Sequence, residues 1–428
     1  MAHFEAEAAR QGLPEVILSS SPSSTRRPRL VATGFATTLE RAFSGSSYYL
    51  SQAGMAERVL DGCFTLQSTK RSDPLLNAAG AMWKLGRVLR GRKPGGFKFA
   101  PSFHAHIWRK HAKLLAGTAV INNIQMYGPE FWKRQRELDI RPYFYIDGTL
   151  SEYFTNYADF DVVAAIDKQT MRNAIAVERE DYARVEHVFA MSRRSADDLI
   201  NTYGLPSEKI SIVSPGANIA DAEINGYVAP PRAERRDFIV GFVGLYARRK
   251  GLDRLAAAVA ILRSRGLPVI LRVVGECPGE IRAMDGVEAL GVIRKDADTA
   301  RFLASISDID LGCQLSKAEM VGVAMLEFLR LGIPILATDV GGIPEVMAGG
   351  GGIMVQPEVS PEELAGIIGG LVRDRDSYLA LRKAARMRRD WASWSRAARE
   401  MDVVLSRGDT AAHRSDVRRA GTRAGSSM

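Results

Sequence analysis

The chain predicts an α/β protein of two doubly wound parallel-sheet domains. Three observations predict it. Short apolar runs alternate with amphipathic segments through the first half, the pattern restarts in the second half, and an aperiodic stretch with adjacent prolines divides them.

Residues 1–28, rich in Ser, Pro and Arg (SSSPSSTRRPR), read as a disordered lead. The first domain is expected over 29–217, with strand-like runs at RLVATG, CFTLQ, TAVINNI, PYFYID, HVFAMS and KISIVS. Helical segments separate several of them, notably Arg172–Arg184 and Ser195–Tyr203. From Asn218 to Arg236 the sequence loses periodicity and carries Pro230 and Pro231, so 218–236 reads as a linker. The second domain, 237–393, repeats the plan with DFIVGFVG, VILRVVG, IDLGCQL, IPILATD and GGIMVQ. After GLYARRKG, Leu252, Leu255, Val259 and Leu262 share one helical face. A last helix over 394–407 gains an apolar face from Trp394, Ala398, Met401 and Leu405, with Trp391 just before it, and 408–428 reads as a disordered tail.

Composition is that of ordinary globular material: 428 residues, 46% hydrophobic and 25% charged, enough for two domains. The three cysteines, Cys63, Cys277 and Cys313, have neither metal nor disulfide spacing, which points to a reducing compartment. The segment MAHFEAEAAR lacks a secretory apolar core, and no apolar run approaches the ~20 residues of a membrane span. A cytoplasmic protein is expected.

The net charge is +9, and part of the excess lies in WKLGRVLRGRKPGGFKF and HIWRKHAKLL. There Trp83, Leu85, Val88 and Leu89 interleave with Lys84, Arg87, Arg90, Arg92 and Lys93. That pattern suits peripheral contact with an anionic membrane, and it equally suits an exposed amphipathic helix in water. No nucleic-acid module is present, so nucleic acid is not expected as a partner. His104, His106 and His111 are not spaced as a metal site.

The chemistry centres on two glutamates, Glu319 and Glu327, eight positions apart in AEMVGVAMLE. If Gly322–Leu331 is helical, a rise of ~1.5 Å per residue sets the carboxylates on the order of 12 Å apart. Glycosidase carboxylates stand closer, roughly 5 to 9.5 Å. The longer span suits the path from a hexose hydroxyl past a diphosphate to a ribose hydroxyl, and the helix start at Gly322 and Val323 offers NH donors to phosphate. The same residues also fit two solvated acids near a helix start. Two further loops bear on the choice. Arg248, Arg249 and Lys250 sit in the strand-to-helix loop before Gly251, placed to neutralise a diphosphate. Gly341 and Gly342 allow close backbone approach to a ligand, and Pro344 and Glu345 start another helix.

The ordered set GLYARRKG, VVGECPG, AEMVGVAMLE and GIPILATDVGGIPE resembles the nucleotide-sugar half of glycosyltransferase family 4, retaining enzymes of the GT-B fold, whose plan implies two Rossmann-like doubly wound domains facing a cleft. The first half agrees in the ERDY-like spacing around Glu178, in HVFAMSRRSADDLINTYG and in KISIVSPGAN. The resemblance covers about Arg29 to Ser406. It implies a nucleotide-diphosphate sugar as donor, a hydroxyl acceptor such as a glycan or lipid-linked sugar, and retention of configuration. It implies a last helix that crosses back onto the first domain. Gly244, Arg249, Lys250, Glu319, Gly322, Val323 and Glu327 would bind the donor, with Glu319 on the sugar and Glu327 on the ribose. Gly45, in the loop with Ser44, Ser46 and Ser47, would contact donor or acceptor, and a plain helix cap is its other reading.

This chain departs from the family in one respect. Many relatives carry a histidine at the end of a first-domain strand, whereas here TAVINNIQMYG ends with Asn123 and Gln125, and PYFYIDGTLSEYF with Asp147. Asp147 with Thr149 resembles the replacement, which makes Asp147, Glu319 and Lys250 the expected catalytic residues. Arg249 and Lys250 with the amides near Gly322 and Val323 would carry the charge of the leaving diphosphate, so neither a metal nor another cofactor is expected. The alternatives are a sugar-nucleotide hydrolase or epimerase of the same fold and a non-catalytic nucleotide-sugar binder. A dehydrogenase is disfavoured, since no strand-linked Gly-x-Gly-x-x-Gly opens either domain.

Overall fold

A computed structural model of the chain describes residues 16–20, 26–34, 38–66, 73–123, 126–159, 161–227 and 237–424. Seven strands form the first sheet: β1 (Val16–Leu18), β2 (Arg29–Thr33), β3 (Gly62–Thr65), β4 (Ala119–Asn122), β5 (Arg141–Ile146), β6 (His187–Ala190) and β7 (Ile210–Ile212). Their order is β1-β3-β2-β4-β5-β6-β7, parallel throughout except where β1 runs against β3. Every residue of β2, β3, β4 and β6 is buried, because helices cover both faces of a parallel sheet. That is why these segments read as unbroken apolar runs.

The second sheet holds β8 (Phe238–Gly244), β9 (Val269–Gly275), β10 (Val287–Gly291), β11 (Leu311–Gln314), β12 (Ile335–Thr338) and β13 (Gly352–Val355). It is wholly parallel, in the order β10-β9-β8-β11-β12-β13. The chain winds outward one way from β8 and the other way from β11. In the first sheet the same reversal falls between β2 and β4. At such a point the loops leaving the C-terminal strand ends diverge and leave a crevice. Both crevices open on the gap between the domains.

The helices that matter for the site are α1 (Ser46–Ala56), α2 (Pro74–Val88), α3 (Pro101–His111), α4 (Leu150–Asn156), α5 (Lys168–Arg184), α6 (Arg193–Asn201), α7 (Leu252–Ser264), α8 (Val323–Arg330), α9 (Ile343–Met347) and α10 (Trp394–Ala424). Helix α7 buries Leu252, Leu255, Val259 and Leu262, the face that their spacing indicates. Helix α10 lies on the first domain. Its Asp402 and Asp409 flank the buried Arg29 guanidinium at 2.6 and 2.8 Å, and Arg399 pairs with Glu57 at 2.6 Å. One apolar cluster therefore runs through both domains, with Val31, Leu50 and Tyr145 from the first, Met320, Met325 and Leu329 from the second, and Trp394 and Met401 from the crossing helix.

Four boundaries differ from the expectation. Val16, Ile17 and Leu18 add an edge strand inside the supposed lead, a run too short for periodicity to reveal; residues 1–15 and 21–25 lie outside the described residues. The linker contains a short helix, Asp221–Gly226, whose first turn carries Asp221 and Glu223, favourable at a helix start; residues 228–236 lie outside the described residues. Strand β10 was not expected, since its residues are only half-buried and no apolar run marks it. The helix predicted to stop at 407 continues to Ala424, because the segment is rich in Ala and Arg and holds no proline to end it; residues 425–428 are not described.

Candidate active site

The second-domain wall is built from loops at the C-terminal ends of the neighbouring strands β8 and β11. Gly244 ends β8 at φ +153°, and a Cβ on Gly275 would stand 1.9 Å from its carbonyl oxygen, so the two strand ends meet only as glycines. Glu276 then accepts hydrogen bonds from the amides of Tyr246 and Ala247 at 2.6 and 3.3 Å, which folds the loop back. Gly251 closes it at φ +73°, where a Cβ would meet the Leu315 carbonyl oxygen at 2.2 Å. This geometry aims Arg249 and Lys250 at Glu319.

Glu319 Oε2 lies 3.3 Å from Arg249 Nη1 and 3.8 Å from Lys250 Nζ. The same oxygen accepts from Gln314 Nε2 at 2.9 Å and Ser316 Oγ at 3.4 Å. The three charged side chains are 12–14% exposed, sheltered from bulk water yet reachable from the gap. Arg249 also lies over the rings of Tyr157 and Tyr246, both at 5.5 Å, and so leans on the first domain. Arg248, the third cation of the loop, is exposed and does not join them.

Gly322 caps α8 at φ +85°, and Val323 is its first helical residue. The first-turn amides of a helix have no i−4 carbonyl to bond, and although the Met325 amide donates to the Gly322 carbonyl at 3.1 Å, those of Val323 and Ala324 are left as donors at this end of the helix. Glu327 sits further along α8, buried at 2% exposure, and pairs with Lys295. Tyr49 on α1 is close enough that its hydroxyl pKa is raised, first by burial and then by the Glu327 charge. Sequence reasoning missed Lys295 because it missed β10, whose C-terminal end leads to it. The adjacent glycines of GGIPE serve a different contact from the ligand approach expected of them. A Cβ on Gly341 would fall 1.7 Å from the Glu319 carbonyl oxygen, and the Gly342 amide donates to the Met320 carbonyl at 2.6 Å. They support the Glu319 loop from behind.

On the first-domain wall, Asp147 follows the last residue of β5. It lines a cavity of about 260 Å³ with Phe43, Lys98, Phe99, His104, Asn123, Met126, Tyr153, Tyr157 and Met320. Burial, then the charges of Glu152 and Glu319, push its carboxyl pKa up to about 7. A Cβ on the next residue, Gly148, would stand 2.7 Å from Met320 Sδ. The Asp147 and Glu319 loops thus touch across the domain gap. Thr149, paired with Asp147 in the sequence reading, instead caps α4: its hydroxyl oxygen accepts from the Glu152 amide at 3.1 Å and its O–H donates to Asp198.

Gly45 ends a loop in which Phe43, Ser44 and Gly45 have φ of +52°, +58° and +89°. Two consecutive non-glycine residues in the left-handed region hold strain that the surroundings must fix. Asn218 does so, donating from Nδ2 to the Ser44 carbonyl at 2.8 Å while its Oδ1 accepts from Trp394 Nε1 at 3.1 Å. Asn123 accepts from Ser47 Oγ at 2.9 Å and so anchors α1; Gln125 lies outside the described residues.

His104 is a histidine in the cleft that the sequence reading left in the basic stretch. It lies on the buried face of α3 with Phe103, Ile107, Trp108 and His111, and burial lowers its pKa to about 4, which keeps it neutral. The helical spacing of those apolar residues was the available signal. Glu178 on α5 accepts from the Leu150 amide at 3.1 and 3.0 Å and from Tyr182 at 2.9 Å, so it fixes the start of α4 just after Asp147.

The basic stretch divides in two. Trp83 and Arg87 turn inward, with Arg87 buried against Asp167, contrary to the exposed pattern expected of them. Leu75, Met82, Leu85, Val88 and Leu89 stay 58–77% exposed along α2 and its end. Among the described residues no helix is long and apolar enough to cross a membrane, and no group of three or more His, Cys, Asp or Glu is arranged around a metal position. Cys63, Cys277 and Cys313 are free and buried.

Residues 237–374 match the model of the family described as Glycosyl transferases group 1. Among curated proteins, the D-inositol 3-phosphate glycosyltransferase of Jonesia denitrificans is 28% identical over 244 residues, covering 52% of this chain and 57% of that protein. Its counterpart in Corynebacterium jeikeium is 28% identical over 250 residues, 53% of this chain and 59% of that one. The chain spans little more than half the length of these relatives. Among solved structures, the sucrose-phosphate synthase of Thermosynechococcus elongatus superposes with a TM-score of 0.62 at 18% identity, covering 90% of this chain and all (100%) of that one. Anabaena HepE in complex with UDP and glucose gives 0.58 at 15% identity, with 89% and 99% covered. The two facing parallel sheets are the GT-B fold of these neighbours, and the second domain carries the match to the glycosyl transferases group 1 family, to which the chain is similar.

Proposed function

We propose that this protein transfers a sugar from a nucleoside diphosphate to a hydroxyl acceptor with retention of configuration, in the assembly of a cell-surface polysaccharide or glycolipid. The observation that carries the proposal is the convergence of Arg249 and Lys250 on Glu319, at the mouth of a cavity whose far wall holds Asp147. HepE, a fold neighbour, is described in complex with UDP-glucose, which supports a donor of that class.

Without ligand, Glu319 compensates both cations. A diphosphate entering at the start of α8 would compete for Arg249 and Lys250 and release Glu319 to hydrogen-bond the sugar hydroxyls. As the bond to the anomeric carbon breaks, charge grows on the leaving oxygen, where two cations and the amides near Gly322 and Val323 lower its energy. In this reading the residues themselves carry that charge, and no divalent metal is called on. Glu327, already balanced by Lys295, accepts from the ribose hydroxyls. Asp147, titrating near neutrality, accepts a hydrogen bond from donor sugar or acceptor hydroxyl as positive charge builds on the ring.

The protein would act in the cytoplasm, at the inner face of the membrane. The exposed apolar stripe of α2 beside Lys84, Arg90, Arg92 and Lys93 favours contact with anionic lipid. Binding isotherms against UDP, GDP, ADP and dTDP test the donor assignment: one nucleotide should bind well above the rest, and no heat with any of them would end it. Flotation with phosphatidylglycerol vesicles at low salt tests the contact, which Leu85→Ser with Leu89→Ser should abolish.

A further inference from the structure

We propose that Tyr157 is a positioning residue for the donor diphosphate: its ring, carried by the first lobe, holds the Arg249 guanidinium of the second lobe in place. This deepens the transferase reading and rests on it in treating Arg249 as a phosphate-binding group.

Once a ligand arrives, Arg249 loses part of its counter-charge. Its Nη1 donates to the Ala318 carbonyl and lies 3.3 Å from Glu319 Oε2, an oxygen that it shares with Lys250 at 3.8 Å. A diphosphate competes with Glu319 for the arginine, so the carboxylate cannot both restrain that side chain and give it up. The rings are a restraint for which an anion does not compete. The guanidinium carbon lies 5.5 Å from the ring centre of Tyr157 and 5.5 Å from that of Tyr246, within the ~6 Å over which a cation is drawn to a ring face. A guanidinium is planar and weakly hydrated, so it lies on a ring while its N–H edge points at phosphate.

The two rings are not equivalent. Tyr246 is 66% exposed and belongs to the Arg249 loop itself, so water weakens its contact and it travels with the arginine. Tyr157 is half-buried, reaches Arg249 from the other lobe, and lines the cavity beside Asp147 and Met320. Burial, then the Glu319 charge, raises its hydroxyl pKa, which keeps the side chain neutral and unsuited to act as a base. Its backbone is fixed as well. Tyr157 follows the last residue of α4, and its amide donates to the Tyr153 carbonyl at 3.1 Å. The same helix starts just after Asp147, where Glu178 accepts from the Leu150 amide. One short element therefore sets both Asp147 and Tyr157. The grip on the diphosphate is complete only with the lobes in contact, which ties departure of the diphosphate to the wall that faces the acceptor.

The test uses the full chain, titrated calorimetrically with UDP, GDP, ADP and dTDP, and then with the monophosphate of whichever binds most tightly. Arg249 lies beside Glu319, at the sugar end of the donor site, so it meets the distal phosphate that a monophosphate lacks. No acceptor is present, so stacking of an acceptor on Tyr157 does not enter the result. Tyr157→Phe should keep diphosphate affinity within about twofold, and Tyr157→Leu should lose about tenfold, the scale of one partly desolvated contact between a cation and a ring. Because Tyr157→Leu also removes packing, the tyrosine is replaced in parallel by mono-, di- and trifluorinated phenylalanine, which weaken the negative ring face at nearly constant size. Diphosphate affinity should fall stepwise along that series toward the Tyr157→Leu value, monophosphate affinity should stay level, and in an Arg249→Ala background the steps should vanish. Affinity that ignores fluorination in proteins that melt like the parent, steps that survive Arg249→Ala, or monophosphate affinity that falls in parallel overturns the proposal. Diphosphate binding that depends on Arg249 and not on Tyr157 sinks this inference alone, whereas a parent that binds none of the four nucleotides sinks the donor reading and this inference with it.

Discussion

The two walls of the cleft come from the same topological device, a reversal of strand order, yet they carry charge in opposite ways. The second-domain wall is dense in compensated ions, with Arg249 and Lys250 on Glu319 and Lys295 on Glu327. On the first-domain wall, the exposed Lys98 lies near the rings of Phe99 and Tyr153, His104 stays neutral and Asp147 is driven toward neutrality. Compensated ions exchange one counter-charge for another at small cost, which suits capture of a diphosphate. A poorly solvated wall moves proton equilibria instead, which suits activation of a hydroxyl. The difference teaches that one fold supplies positions, while the loop residues decide which electrostatic task each position performs.

The largest expected effect comes from separating the walls. Deleting the chain from Trp394 onward removes the partners of Arg29 and Asn218, and the first domain should lose its resistance to limited proteolysis. If that resistance persisted, the crossing helix would be an accessory to the first domain. Lys250→Ala comes next: losing one donor to a developing oxyanion costs on the order of 10²–10³ in turnover, so most activity should vanish in a radiolabelled transfer assay. Full activity in that variant would remove the phosphate role from this wall. Asp147→Asn should lower turnover by about 10-fold or more while UDP affinity stays within a factor of about two, and a variant with near-parental turnover would leave the first wall without a catalytic group.

The smallest effect is thermodynamic. The folded protein holds the Asp147 proton up to about pH 7, against an ordinary value of 3.8. Stability from this group is complete below that ordinary value and is lost as pH rises through 7, because the unfolded chain gives up the proton first. Melting curves of the parent and Asp147→Asn should therefore diverge between pH 4 and 7, with the parent losing ground as pH rises. Parallel curves would place Asp147 in ordinary solvent contact and dissolve the contrast between the walls.

The second wall is also the more legible in sequence. Its central strands β8, β11 and β12 are largely buried apolar runs, and its working loops are short and punctuated by glycines whose positions the close contacts of Gly244, Gly251 and Gly275 explain. Lys295 stayed hidden because β10 is a half-buried edge that carries no apolar run. The first wall draws its residues from farther apart in the chain. His104 and Lys98 reach the cavity only through the packing of α3 and the turn before it, and no local spacing encodes that convergence. Gly341 and Gly342 show the converse: the signal for close approach was sound, but it could not say that the approaching partner is the Glu319 loop of the protein itself. Likewise Thr149 has the composition of a site residue and the geometry of a helix cap.

The start of the passage into the second lobe lies beside the point where the chain returns from it. The Ala217 amide donates to the Ala392 carbonyl at 2.9 Å, and Asn218 joins Trp394 on one side and the strained Ser44 carbonyl on the other. The strained Phe43–Gly45 loop therefore keeps its shape only while the returning chain at Trp394 holds Asn218 in place, so the last segment of the chain props up one of the first.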